Sequence, residues 1–188
     1  MHNIQSLGIR SIFPTELIEY QLDNDLVSKV LEEISIKREE ILDTYIEEHP
    51  EGDIDVYYTD YTNPAQLNSI ESILEALKED FNRKGLKARI NNYWVAAYRR
   101  YAEHSTHNHR EGIQDTVNFS GIIYLSNIGQ TNFYSDSISS TDYLFKSFSN
   151  AGKIIMFPST LLHSVPSHNT EDWRYVVSFN ASIYPNRQ

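Results

Sequence analysis

Cysteine is absent from all 188 residues. That excludes a disulfide framework, thiolate metal ligands and a thiol nucleophile, and it leaves imidazole and carboxylate to build any metal site. A reducing, cytoplasmic setting is the expected one. Long apolar runs are also missing: the longest fall far short of the roughly 20 residues that span a bilayer, and no basic start leads into an apolar segment at the N-terminus. The expectation is a soluble protein with no membrane partner. Basic residues are few, 16 Lys and Arg against 26 Asp and Glu, for a net charge of −10. Such a surface repels phosphate backbones, which argues against nucleic acid as a partner. Neither a repeat nor a low-complexity stretch long enough to be a linker occurs, so residues 1–188 are expected to form a single domain with one sizeable core.

What the chain does have is aromatic side chains, 13 Tyr and 8 Phe among them, concentrated after residue 90, where they suit a half-buried pleated surface. The two halves read differently. Residues 4 to 22 begin with Ile4, Leu7, Ile9 and Ile12-Phe13-Pro14, which suggest a short strand that breaks at Pro14. Asp23-Asn24-Asp25 then offers a cap for a helix running to about Glu48, with Val27, Val30, Leu31, Ile34, Ile41, Leu42 and Tyr45 at three- and four-residue steps. Ile54 to Tyr58 alternates as a short strand. A second amphipathic helix is expected from Asn63-Pro64, with Leu67, Ile70, Ile73, Leu74, Leu77 and Phe81 on one face and Gly85 at its end.

From Lys87 the hydrophobic period becomes two. Alternating runs at 88–101, 118–125, 130–134, 153–157 and 175–183 are separated by turn-rich segments such as Ser135 to Ser140. Many short strands predict a mainly β fold, a sandwich or barrel, in residues 87–188. Residues 1–86 are expected to be a helical extension whose two helices pack their apolar stripes on one face of the sheet.

The chemistry-bearing residues cluster in that β half. In Tyr101-Ala102-Glu103-His104-Ser105-Thr106-His107-Asn108-His109, the side chains of His107 and His109 point the same way if the segment is extended, so both can reach one ion. A third ligand must come from elsewhere. His163 qualifies, because Gly152 to Phe157 reads as a strand, Pro158 breaks it, and the histidine follows at the rim. A second register pairs His109 with Glu111 and would bring in a carboxylate. His104 is a spare histidine, and His2, His49 and His168 read as exposed loop residues.

Two ligands early and one after a late strand, with Ile123-Tyr124-Leu125 closing the strand between and Arg174 eleven residues beyond His163, resembles the iron(II) and 2-oxoglutarate-dependent dioxygenase superfamily. Within it, the chain looks like the prolyl-hydroxylase-like group of small phage or bacterial proteins. The resemblance covers roughly Ala88 to Asn180. It implies a double-stranded β-helix (jelly-roll) core, Fe(II) held by His107, His109 and His163, 2-oxoglutarate as co-substrate, and O₂. It also implies hydroxylation of a C–H bond in a small-molecule or peptidyl substrate with release of succinate and CO₂, in the host cytoplasm if the gene is a phage's. One departure stands out: His109 occupies the place where the family normally carries a carboxylate. Glu111 remains the alternative ligand.

On the same resemblance, the far carboxylate of the co-substrate falls to Arg174, whose planar guanidinium suits two parallel charge-assisted hydrogen bonds. Ser178 faces the same way on an extended strand. Tyr98 and Tyr124 fall where related enzymes place co-substrate-binding tyrosines, and Ser120 lies on the Tyr124 side of its strand. Two other classes stay open. Gly152, Pro158 and His163 also fit the second motif of cupins, although Glu111 comes too soon after His109 for their first motif. A non-catalytic jelly-roll binding module is the third. His107-Asn108-His109 lacks the ββα context and basic surface of an HNH nuclease.

Overall fold

The computed structural model describes residues 4–12, 15–38, 56–58, 66–109, 118–135 and 145–186. Eight strands carry the expected core: β4 (Leu86–Tyr98), β5 (His104–His107), β6 (Phe119–Tyr124), β7 (Gln130–Phe133), β8 (Phe145–Phe148), β9 (Lys153–Pro158), β10 (His163–Val165) and β11 (Arg174–Pro185). Ahead of them come β1 (Ile4–Ile12), β2 (Thr15–Leu22), α1 (Asn24–Ile36), β3 (Val56–Tyr58) and α2 (Asn68–Arg83). The strands form a larger sheet in the order β1-β2-β9-β6-β11-β4-β3 and a smaller one in the order β5-β10-β7-β8. Neighbours pair antiparallel throughout. The eight core strands split four and four between the sheets, as a jelly roll requires.

Each face of the larger sheet is buried against something different. Val95, Ile123, Ile154, Val177, Phe179 and Ala181 pack with Val27, Val30, Ile34, Ile70, Leu77 and Phe81 from the helices. Ala96, Tyr98, Ile122, Tyr124, Phe157 and Val176 turn the other way, against Phe133, Leu161 and Val165 of the smaller sheet. Alternation along β6, β11 and the part of β4 from Asn92 to Tyr98, past a register shift at Asn91, therefore divides one run of residues between two apolar layers, one under the helices and one between the sheets.

Three expectations need correction. Strands β1 and β2 form a hairpin pair, with Ile12 opposite Thr15, and β2 joins the core by pairing with β9; the stretch ahead of residue 87 is thus not helical alone. Helix α1 closes at Lys37, whose N–H bonds to the carbonyls of Glu33 and Ser35; Ile41, Leu42 and Tyr45 lie outside the described residues. Helix α2 begins at Asn68 with Leu67 at its cap, later than Asn63-Pro64, and it runs to Arg83. Gly85 follows in the left-handed region, with φ of 76°, where glycine stops a helix without strain.

Candidate metal and co-substrate site

The smaller sheet brings the histidines together. His163 opens β10 and stands directly opposite His107, the last residue of β5. His109 lies beyond the strand, held in place because its backbone N–H donates to the Ser159 carbonyl at 2.9 Å. One ligand nitrogen from each of His107, His109 and His163 lies within 4.8 Å of the other two. That is close enough to share one ion. His163 is buried and the other two are half-buried.

Backbone contacts settle the tautomers. His107 Nδ1 is 2.8 Å from the Ser105 carbonyl and His163 Nδ1 is 3.0 Å from that of Leu161. A carbonyl only accepts, so each Nδ1 carries the hydrogen and each Nε2 keeps a lone pair for a metal. Burial, and then the neighbouring imidazoles, push His109 down to about 4 and His163 well below the ordinary histidine value. Burial also lowers His107, against the opposing pull of the Ser105 carbonyl. All three are neutral near pH 7, the form a metal needs. His104 stacks on His107, with ring centroids 4.1 Å apart, and burial brings it down to about 4, but it is not one of the converging set. Glu111 lies outside the described residues, as do His2 and His49. His168 is no free loop residue: its Nε2 is 3.3 Å from the Tyr98 carbonyl and its own carbonyl accepts from the Tyr101 N–H.

A cavity of about 470 Å³ runs between the sheets past these histidines. The β4–β11 register orders its wall: Arg174 opposite Tyr98, Val176 opposite Ala96, Ser178 opposite Trp94, Asn180 opposite Asn92. Trp94 stacks on His109, with centroids 5.7 Å apart, so the histidines sit at the Ser178 level, between the two ends.

Arg174 closes one end and is 1 % exposed. Its guanidinium carbon lies 4.8 Å from the Tyr98 ring centre and 5.9 Å from that of Tyr124. Nε donates to Ser149 Oγ and Nη2 to Thr131 Oγ1, both at 3.4 Å, while Nη1 is buried with no hydrogen-bond partner among the described residues. A buried cation held by two long, neutral contacts is under-satisfied. Tyr124 donates its hydroxyl to Thr131 at 2.9 Å, and burial raises its pKa against the lowering effect of Arg174, so it stays a neutral phenol. Gly129 leaves room for the arginine stem; a Cβ there would sit 3.1 Å from Arg174 Cδ. Ser178 shares the Arg174 face and the cavity. Ser120 does not reach that end: it pairs with Asn180, six residues along β11 from Arg174, about 20 Å of strand.

Several site residues carried no signal in the sequence. Thr131 and Ser149 are ordinary polar residues that the fold brings to Arg174. Glu19 of β2 forms a buried ion pair with Lys153 at 2.9 Å, and its charge also acts on Tyr124. Only the strand pairing could reveal these neighbours.

No protein-family model matches the sequence, and no curated protein does. Solved structures do. A prolyl-4-hydroxylase from Pseudomonas putida superposes with a TM-score of 0.60 at 18% identity, over 100% of this chain and 95% of that one. A prolyl hydroxylase from Trichoplax adhaerens, in complex with a peptide of the hypoxia-inducible factor oxygen degradation domain, gives 0.65 at 12% over 90% and 83%. The viral collagen prolyl hydroxylase of Paramecium bursaria Chlorella virus-1, in complex with 2-oxoglutarate, gives 0.57 at 14% over 88% and 94%. At these identities the likeness is one of fold. The chain has the jelly-roll fold of the prolyl-hydroxylase-like 2-oxoglutarate/Fe(II) oxygenases.

Proposed function

We propose that the protein is an Fe(II)- and 2-oxoglutarate-dependent dioxygenase that hydroxylates a C–H bond of a small-molecule or peptidyl substrate. In this reading His107, His109 and His163 hold the iron, and Arg174 holds the far carboxylate of 2-oxoglutarate. The observation that carries it is the buried Nη1 of Arg174, without a partner among the described residues, in the same cavity as three converging neutral imidazoles. Among the described residues lining the cavity there is no carboxylate. Three neutral ligands leave a divalent cation uncompensated, and Arg174 adds a further positive charge. A dianion that reaches both the metal and Arg174 answers both needs, and 2-oxoglutarate is such a dianion.

When bound, iron and 2-oxoglutarate would supply the oxidation, in which substrate R–H, 2-oxoglutarate and O₂ give R–OH, succinate and CO₂. The protein's own residues position and shield. The Ser105 and Leu161 carbonyls hold Nδ1 of His107 and His163, so that each Nε2 would be left to hold the ion. Tyr98 stacks on the guanidinium, while Ser149 and Thr131 leave Nη1 to the carboxylate. Tyr124 stays protonated and keeps Thr131 oriented. Phe133, Phe157 and Val176 exclude water around the histidines and Arg174.

Elemental analysis after anaerobic loading tests the metal assignment. The parent is expected to hold one Fe(II), His163→Ala to lose it while remaining folded, and Glu111→Ala to retain it. Equal iron in the parent and His163→Ala would remove His163 from the set, and loss with Glu111→Ala would restore a carboxylate ligand. Iron uptake without any 2-oxoglutarate affinity would favour a cupin-type site.

A further inference from the structure

Beyond the histidines, at the end of the cavity away from Arg174, we infer that Asn92 and Asn180 bind an uncharged amide group of the substrate. This rests on the oxygenase reading, in which the Arg174 end is filled by the co-substrate and the opposite end is left for the molecule to be oxidised.

The two asparagines are cross-strand partners on β4 and β11, and both line the cavity. Asn180 is 3 % exposed, and its Oδ1 accepts from Ser120 Oγ at 2.9 Å. Ser120 Oγ is in turn 3.0 Å from Ser159 Oγ. With its oxygen committed, what Asn180 offers a ligand is its amide N–H. Asn92 is the complement: its Oδ1 is buried with no hydrogen-bond partner among the described residues, although its neighbour Asn91 accepts from Ser182. A buried acceptor left unmade is costly, and the missing partner is a donor. One donor beside one acceptor, on paired strands, matches the C=O and N–H of an amide.

Charge narrows the class further. Arg174 is the only formally charged residue among the described residues lining the cavity, and it stands at the other end. A carboxylate or ammonium ion brought against Asn92 and Asn180 would lose its hydration with no counter-charge in reach. An amide carries no such penalty. Trp94, next along β4 on the cavity side, offers an apolar ring between the amide site and His109. The network also ties this wall to the metal side, because the Ser159 carbonyl that accepts from His109 N–H belongs to the residue whose hydroxyl holds Ser120. A group anchored at the asparagines is therefore kept in register with the histidines.

The test uses ¹⁵N-labelled full-length protein and two small probes, N-methylacetamide for a main-chain amide and propionamide for a side-chain carboxamide. Acetate and methylammonium serve as charged controls. At least one amide is expected to shift the side-chain NH₂ signals of Asn92 and Asn180 in a saturable way, and the tighter of the two identifies the source; the charged probes leave these signals in place. Asn92→Leu and Asn180→Asp should each weaken the amide about tenfold, the loss of one hydrogen bond. Should Asn180→Asp fold poorly by thermal melting, Asn92→Leu, at the less buried of the two positions, carries the same test. Equal binding of charged probes, no saturable shift, or affinities unchanged by the substitutions would overturn the inference. The same samples are titrated with 2-oxoglutarate after anaerobic iron loading. Uptake of 2-oxoglutarate without amide binding overturns the amide site alone, and amide binding without 2-oxoglutarate uptake overturns the oxygenase reading alone.

Discussion

Replacing Arg174 with methionine should move ligand-free stability and co-substrate affinity in opposite directions. In the ligand-free protein the guanidinium is buried, with two neutral contacts at 3.4 Å, two aromatic faces and one nitrogen that has no hydrogen-bond partner among the described residues. No carboxylate within the described lining compensates it. Exchanging a buried, poorly compensated charge for an apolar side chain of similar length is neutral or stabilising by about 1–4 kcal/mol. Methionine fills most of the same space against Tyr98 and Tyr124, so little cavity is left. Binding behaves otherwise. A desolvated carboxylate that loses its guanidinium partner gives up about 2–5 kcal/mol, or roughly 30-fold to several thousand-fold in Kd. In the anaerobic iron form, the parent should gain about 2.7 kcal/mol of stability at 2-oxoglutarate concentrations of 100 times Kd, and Arg174→Met less than about 1 kcal/mol at the same concentration. Urea denaturation with and without ligand, together with calorimetric titration, reads both quantities. A variant that is several kcal/mol less stable without ligand, yet equally stabilised by 2-oxoglutarate, would refute the reasoning.

Three further outcomes follow from the packing. Lys153→Met removes the ion-pair partner 2.9 Å from the buried Glu19 carboxylate and should cost about 3 kcal/mol in urea denaturation, with partial recovery in the double variant that adds Glu19→Gln; an unchanged midpoint would show the pair to be dispensable. In Gly121→Ala the new Cβ would fall 2.1 Å from Phe179 Cζ, in a ring buried under the helices, and a loss of about 1–3 kcal/mol is expected. Burial works to raise the Asp80 pKa, but Lys84 and the Tyr20 hydroxyl, with Arg83, outweigh it and hold the carboxyl below its ordinary value. A depressed folded pKa stabilises above the unfolded value and loses its effect as the pH falls through the folded one. The stability gap between parent and Asp80→Asn should therefore be constant from neutral pH down to about 5, and shrink below about 4; a gap independent of pH would deny the linkage.

How much of this was legible beforehand depended on whether the signal was local. Strands β4, β6, β9 and β11 announce themselves because they are long or strongly apolar, and their alternation survives burial on both faces. Strands β5, β8 and β10 were not delimited. They are three or four residues long and read His-Ser-Thr-His, Phe-Lys-Ser-Phe and His-Ser-Val, too short and too polar for an alternation to show. Strand β2 escaped because Glu19, charged in the sequence, is neutralised by Lys153, 134 residues further along the chain. The histidines were readable from two-residue spacing and from the strand end at Pro158. Ser120 shows the limit of same-face reasoning. It does lie on the Tyr124 side of β6, but the register with β11 carries it away from Arg174 to Asn180. Asn92, Thr131 and Ser149 have no local signature; their places are decided by cross-strand pairing.

The claim that the three histidines and Arg174 form one site for iron and 2-oxoglutarate is tested most directly by anaerobic spectroscopy. Titrating 2-oxoglutarate into the Fe(II)-loaded protein should raise a weak visible charge-transfer band that saturates at one equivalent. The band should be absent in His163→Ala, and in Arg174→Met it should require far higher ligand concentrations. An iron-loaded parent that shows no such band at any 2-oxoglutarate concentration would contradict the account.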